Sequence, residues 1–212
     1  MANARNLSTL AQGASTAGIL AGTYGGLGAS ISPTTTGNVL FTADGSVWSS
    51  TQKIVQGTAV NGSGSGTTIP FSGIPSWVKR ITVILNGLSA NGTSTLYVQL
   101  GTSAGFVTTG YNSNFGAISS AGAVASGTAY TAGFFAGTFV ANTDTLLATY
   151  VIHSFGNNTW SLSGTGTRTG NVTTWYAAGA PLALGSALTQ LRIFPANGTD
   201  TFDAGSVNIL YE

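Results

Sequence analysis

The strongest constraint on the fold is an alternation of apolar and polar residues in the middle of the chain. Apolar side chains occupy every second position of residues 81–85. A period of two predicts a β-strand with one buried face, and the Asn86-Gly87 pair that follows is typical of a turn. A second alternating run lies at residues 96–100, after a polar segment. We therefore predict two antiparallel strands joined by a polar loop within residues 71–100, and we expect the rest of the fold to be built around them.

The chain after residue 67 repeats this pattern of short apolar runs and turn signals. Further strands are predicted at residues 106–111, 134–140, 146–155, 159–164, 172–177, 188–194 and 206–211. None of these segments has a convincing helical pattern, and the spacing of the turn signals is typical of sandwiches and barrels. We therefore predict an all-β protein, a β-sandwich or jelly-roll-like domain.

The N-terminal part of the chain has a different composition. The spacing of apolar residues predicts a short helix over residues 2–12. Residues 13–35 are glycine-rich and too poor in large apolar side chains to build a core, which predicts an extended arm or stalk. The Asp44-Gly45 pair, between short apolar runs, predicts a hairpin. Three parts are predicted: an arm with a short stalk and hairpin at residues 1–60, a Gly/Ser linker at 61–70 and a β-sandwich head at 71–212.

The low charge content restricts the possible partners. Charged residues make up 5% of the 212 residues, where a typical soluble domain has roughly 25%. The net charge is +1 and the basic residues are scattered, so we expect no binding to nucleic acid or to an anionic membrane surface. Mean hydropathy is +0.28, yet no run approaches the ~18 apolar residues of a spanning helix, so we expect no membrane insertion.

Cysteine is absent, which excludes disulfides, thiolate metal sites and cysteine nucleophiles. The first nine residues carry one charge and no continuous apolar core. We therefore expect no secretory signal, and synthesis and assembly in a cytoplasm.

Three segments share a pattern of asparagine, hydroxyl residues and then an apolar residue. They lie at residues 90–96, 141–146 and 196–202. Asparagine tolerates left-handed backbone and closes Asx-turns, so we predict three similar turns, with a chance recurrence in a threonine-rich chain as the alternative.

Few residues are suited to catalysis or metal binding. His153 is the only histidine, and a polar-face or interface role is favoured over a metal site formed by several copies on a symmetry axis. Asp200 and Asp203 have a spacing compatible with a calcium site or a glycosidase pair, but a polar turn explains both. Because so few carboxylates are available, we expect no enzymatic activity, no catalytic or metal-binding residues and no cofactor.

Aromatic residues are the candidates for ligand binding. Trp160, Trp175 and Tyr176 are flanked by turn-like segments, which favours them over Trp48 and Trp77 as platforms for stacking sugars. The alternative is that these side chains belong to the core or to an interface.

Two stretches resemble one group of viral proteins. The first includes Gly-Ile-Pro-Ser-Trp-Val-Lys-Arg-Ile-Thr-Val at residues 73–83, Asn-Gly-Thr-Ser at 91–94, Gln-Leu-Gly at 99–101 and Thr-Gly-Tyr at 109–111. The second is Asn-Gly-Thr-Asp-Thr-Phe-Asp-Ala-Gly-Ser-Val-Asn-Ile-Leu-Tyr-Glu at residues 197–212. Both are similar to the distal domain of tail-fibre-like proteins of tailed bacteriophages and prophages. Residues 37–48 also resemble a short phage fibre repeat, although its usual Gly-Gly-Thr-Gly element is replaced by Gly-Gly-Leu-Gly at 25–28.

The resemblance implies a virion protein, usually a homotrimer, that contacts the host surface. Residues 1–60 would then attach it to other virion proteins, and the head would bind a host glycan. Because 212 residues is short for a tail fibre, a capsid decoration or head-fibre protein with a mainly structural role is the alternative. A glycan-degrading enzyme is a third hypothesis, disfavoured by the scarcity of carboxylates. No catalytic residue of the family is carried over.

Overall fold

A computed structural model describes residues 39–42, 48–51, 54–119, 122–125, 129–170 and 173–212. Every regular element in these ranges is a β-strand, so the all-β prediction is confirmed. The strands are β1 (Val39–Thr42), β2 (Trp48–Thr51), β3 (Val55–Gln56), β4 (Val60–Asn61), β5 (Ile69–Ser72), β6 (Arg80–Ala90), β7 (Thr95–Thr102), β8 (Gly105–Phe106), β9 (Ser113–Ser119), β10 (Gly122–Ala125), β11 (Phe134–Thr138), β12 (Leu146–Gly156), β13 (Thr159–Arg168), β14 (Thr173–Gly179), β15 (Leu182–Ala183), β16 (Gln190–Pro195) and β17 (Phe202–Tyr211). No helix in the described ranges has the length and apolar character needed to cross a bilayer.

The chain divides into two units, Met1–Ile54 and Val55–Glu212. In the first unit, β1 and β2 form an antiparallel hairpin in which Thr42 pairs with Trp48. This pairing confirms the predicted hairpin. The predicted helix at residues 2–12 and the glycine-rich arm at 13–35 lie outside the described residues.

The second unit consists of two antiparallel sheets, consistent with a β-sandwich. The large sheet has the order β10-β9-β14-β13-β12-β6-β17-β3, with β15 beside β13 and β4 beside β17. The small sheet has the order β11-β7-β16-β5, with β8 beside β7. Phe135 of the small sheet packs edge to face on Trp175 of the large sheet, with ring centroids 6.2 Å apart. The inner faces of the two sheets therefore share one apolar core.

Alternation along the strands supplies that core. In β6 the side chains of Ile81, Val83 and Leu85 are buried, while Thr82 and Ile84 between them are only partly covered. β12 repeats the pattern. The predicted strands at residues 134–140, 146–155, 159–164, 172–177, 188–194 and 206–211 are confirmed as β11, β12, β13, β14, β16 and β17, with shifted ends.

The predicted hairpin within residues 71–100 is wrong. β6 pairs with β12 and β17 in the large sheet, whereas β7 pairs with β11 and β16 in the small one. Asn86 and Gly87 do not end β6 but lie inside it, where Gly87 has a φ of +61° and the pairing register shifts. A bulge, like a turn, uses a residue with positive φ, so the Asn-Gly pair gives the same local signal in both settings.

The predicted strand at residues 106–111 also differs from the structure. Of the predicted strand at 106–111 only Phe106 lies in a strand, as the second residue of β8. The hydroxyl of Tyr111 instead accepts a hydrogen bond from the backbone N–H of Leu100, at 2.8 Å. Burial raises the pKa of Tyr111 to about 12.

The compact unit also starts earlier than the predicted head at residue 71, because β3 and β4 pair with β17, β5 pairs with β16, and the side chain of Ile69 is fully buried. Residues 61–70 are therefore part of the compact unit rather than a free linker.

The bulge between β6 and β17 gives a stability prediction. Gly205 has a φ of +75°, and a Cβ added there would overlap the carbonyl of Gly87. We expect Gly205→Ala to lower the free energy of unfolding by about 2–4 kcal/mol, because backbone strain and overpacking add. Urea titration measures this change. Gly185→Ala is the control, since Gly185 is exposed and its added Cβ would meet nothing. Equal stability of the two variants would contradict the assignment.

Candidate functional site

Two of the three aromatic candidates lie in the core. Trp160 and Trp175 are 4% and 1% exposed. The indole N–H of Trp175 donates a 2.7 Å hydrogen bond to the hydroxyl of Tyr150, itself buried. Neither indole face is open to a sugar, so the interpretation of these tryptophans as stacking platforms is corrected.

Tyr176 is 57% exposed, although it follows Trp175 directly. Successive side chains of a strand point to opposite faces, so β14 directs Trp175 into the core and Tyr176 to the outer face of the large sheet. Of the predicted binding residues, Tyr176 alone presents its ring to solvent.

A row of side chains crosses the outer face of the large sheet from Tyr176. Tyr176 pairs with Thr165 of β13, which pairs with Thr149 of β12. Thr149 pairs with Ile84 of β6, which pairs with Asn208 of β17. Five strands therefore contribute one aromatic ring, two hydroxyls, one aliphatic side chain and one amide to a continuous row.

An open groove of about 830 Å³ follows this row from Thr165 to Asn208. Tyr176 lies beside the groove, paired with Thr165, and is not one of its lining residues. Its polar lining side chains are hydroxyls and amides: Gln56, Asn86, Thr149, Thr165, Thr167, Thr174, Ser206 and Asn208. Leu147, 42% exposed, is an apolar element of the lining. The groove thus combines hydrogen-bonding groups with an apolar contact, as binding sites for small molecules and sugars do.

No ionisable side chain is among the described residues that line the groove. Asp144 and Arg168 form an ion pair in the interior, and Arg192 donates hydrogen bonds to Gln99 in the small sheet. Arg80 pairs with Glu212 at the chain end. Recognition in the groove would therefore depend on hydrogen bonds and apolar contact, with little contribution from charge.

His153 lies near the end of β12 and pairs with Ser161 of β13. Its Nε2 is 3.1 Å from the hydroxyl of Ser161, and its ring contacts Phe155 at a centroid distance of 4.9 Å. This resembles the base and nucleophile of a hydrolase triad, but Ser161 is only 6% exposed. Within the described residues, no group of three or more histidine or acidic side chains is arranged to hold a metal ion.

Asp200 and Asp203 both accept hydrogen bonds from nearby residues. Asp200 accepts hydrogen bonds from the side chain of Asn197 at 2.7 Å and from the N–H of Ser94 at 3.1 Å. Asp203 accepts one from the hydroxyl of Ser89. The polar-turn explanation therefore fits Asp200, which precedes β17, whereas Asp203 lies in β17 and its partner Ser89 in β6.

The three recurrent segments do not form three equal turns. Asn197 closes the predicted Asx-turn, since its Oδ1 accepts from the N–H groups of Thr199 and Asp200, both at 3.1 Å. Asn91 instead accepts from the N–H of Thr201 at 2.9 Å, so the first and third segments are joined to each other. In the second, Asp144 rather than the asparagine accepts the backbone hydrogen bonds.

Sequence reasoning missed the threonines of the groove. Thr165, Thr167 and Thr174 are ordinary strand residues, and threonine is abundant in this chain. The available signal was the hydroxyl residue at every second position of residues 163–167. That alternation marks an outward face, but which strands extend it depends on pairings that are distant in sequence.

Comparisons of the chain with protein-family models, curated proteins and solved structures found no match.

Proposed function

We propose that this protein is a non-enzymatic fibre or spike component of a tailed-bacteriophage virion, whose β-sandwich binds host-surface glycans. The observation that carries the proposal is the uncharged groove on the outer face of the large sheet. Sugars present many hydroxyl groups and small apolar faces. Threonine hydroxyls and amides match the former, while Leu147 in the lining and the exposed ring of Tyr176, which lies beside the groove next to Thr165, match the latter.

The resemblance of residues 73–83 and 197–212 to phage tail-fibre proteins supports the viral part of the proposal. The glycine-rich arm predicted at residues 13–35 belongs to the same proposal, because three copies wound together would cover one another's apolar residues. The jelly-roll connectivity of the head stays a prediction.

The trimer has a direct test in solution. Light scattering on the purified full chain should give three times the chain mass of 21.2 kDa. A mass of one chain in native buffer would refute the trimer, but it would not bear on whether the groove binds glycan.

Attachment through the N-terminal region is tested by truncation. The cut belongs after Ile54 rather than after residue 60, because β3 and β4 pair with β17 and their removal would expose that strand. We expect the shortened protein to fold but to be missing from particles assembled in its presence. Its incorporation at the normal level would refute attachment through these residues.

The alternative, a capsid decoration or head-fibre protein with a mainly structural role, differs in position and copy number. Imaging of intact particles distinguishes the two, since tail fibres are few and lie on the tail, whereas decoration proteins cover the capsid.

A charge placed in the groove should abolish glycan binding. Thr165 is exposed, so Thr165→Lys should leave the free energy of unfolding within about 0.5 kcal/mol of the parent value. We expect its binding to an array of bacterial surface polysaccharides to fall at least about tenfold, because the lysine fills the groove and brings a strongly hydrated charge. The matched control is Thr109→Lys, at an exposed position that does not line the groove. Equal loss in both variants would show that the groove is not the site.

A further inference from the structure

The indole N–H of Trp160 has an unusual environment. Trp160 is 4% exposed, and its Nε1 has no hydrogen-bond partner within the described part of the chain. Buried donors are nearly always paired, since an unpaired one loses its hydration without compensation. By contrast, the equally buried Trp175 donates to Tyr150. The unpaired donor of Trp160 therefore calls for an acceptor from outside the chain.

Trp160 lines a cavity of about 110 Å³. Its lining includes the apolar residues Ile74, Val78 and Leu188 and the polar residues Ser76, Ser154 and Asn158. The cavity is separate from the groove, because the two share no described lining residue.

The backbone around this cavity is held in place. Asn157 and Asn158 have φ values of +48° and +55°, which form a tight two-residue turn between β12 and β13. The N–H of Leu184 donates to the carbonyl of Asn158 at 2.9 Å, and the N–H of Ser154 donates to the carbonyl of Lys79 at 2.9 Å. The cavity is thus preformed, and a ligand would not have to order it.

The size and lining of the cavity indicate the ligand. A water molecule has a share of about 30 Å³ in the liquid, so about three waters would fill the volume, but they would lie against the apolar side chains of the lining. An acetyl group attached to nitrogen has a carbonyl oxygen to accept from an indole N–H and a methyl group to cover an apolar wall. A carboxylate fits less well, because Lys79, the cation in the lining, is exposed and the buried donor is neutral.

We propose that this cavity binds the acetamido group of an N-acetylated amino sugar. The carbonyl oxygen accepts from Nε1 of Trp160, and the methyl group packs against Ile74, Val78 and Leu188. The acetamido group follows from the cavity, whereas the choice of a sugar as its carrier rests on the proposed function.

The indole N–H itself is the most direct reporter. In nitrogen–proton correlation spectra of the labelled full chain, Trp160→Phe identifies the Trp160 indole signal. We expect acetamide and N-acetylglucosamine to shift that signal saturably at about 100 mM, above the millimolar Kd expected of so small a group. Glucosamine, which lacks the acetyl group, should not shift it. The indole signals of Trp77 and Trp175 should stay in place with all three probes.

Two further variants keep the test decisive if Trp160→Phe misfolds. Ala187→Leu fills the cavity from its half-buried rim and keeps the indole, so it should remove the shift. Trp77→Phe removes an exposed indole that does not line the cavity and should leave the shift intact. No shift of Trp160 with acetamide and N-acetylglucosamine would overturn the proposal, and so would a larger response to acetate. A shift with acetamide in a protein that binds no polysaccharide would uphold the cavity and refute the proposed function.

Discussion

Replacing Asp144 by alanine is expected to lower the free energy of unfolding by about 3–5 kcal/mol. Asp144 is 2% exposed, and its Oδ2 lies 3.4 Å from Nε of Arg168, which is 5% exposed. The same oxygen accepts from the N–H groups of Val140 and Ala141, at 2.7 and 2.9 Å. The variant therefore leaves a buried guanidinium without its counter-charge and two backbone donors without an acceptor.

The remaining partners of Arg168 do not neutralise it. Nη1 donates to the carbonyl of Thr138 at 3.1 Å, whereas Nε forms the ion pair without a hydrogen bond of good geometry. Removing both charges should therefore be milder than removing one. We expect the double variant Asp144→Leu with Arg168→Met to recover part of the stability lost in Asp144→Ala. Urea unfolding of the three proteins measures this, and a loss below about 1 kcal/mol in Asp144→Ala would contradict the buried pair.

Substitution by alanine is expected to destabilise the protein strongly at Trp175 and very little at its neighbour Tyr176. Trp175→Ala removes a ring that is fully buried, packs on Phe135 and donates to Tyr150, so we expect a loss of about 3–5 kcal/mol. Tyr176→Ala should change the free energy of unfolding by no more than about 0.5 kcal/mol, because its side chain is 57% exposed.

For polysaccharide binding, we expect the larger effect from substitution of Tyr176. Tyr176→Ala should weaken polysaccharide binding while the protein stays folded, because it removes the exposed aromatic ring beside the groove, next to Thr165. Trp175→Phe, which keeps most of the core volume, should bind as the parent does. If Tyr176→Ala proved the less stable of the two alanine variants, then the placement of Trp175 on the core face of β14 and Tyr176 on its outer face would be wrong.

The strands of the fold were largely predictable from the sequence, but their partners were not. Alternation located β6, β12 and β17 because one face of each strand is buried. The nearest candidate for pairing with β6 was β7, and the structure instead places β12 and β17 beside it. Pairing is decided by contacts between segments that are distant in sequence, and the Asn86-Gly87 pair specifies a positive φ without specifying whether a turn or a bulge contains it.

The candidate site was predictable only in part, for a related reason. Aromatic residues in strands were identified as candidates, but a period of two does not say which of two neighbours faces the core. Tyr176 and Trp175 therefore looked equivalent, although one is 57% exposed and the other 1%. The groove joins residues of β6, β12, β13, β14 and β17, and no short segment contains enough of them to show it.

The central claim, that the uncharged groove binds glycan, is tested most directly by the salt dependence of binding. The measurement is equilibrium binding of the full chain to an array of bacterial surface polysaccharides over a series of salt concentrations. We predict saturable binding whose Kd changes by less than about twofold between about 50 and 500 mM salt, because no charge in the groove is available to be screened. Absence of binding to every polysaccharide, or a Kd that rises tenfold or more over this range, would contradict the account.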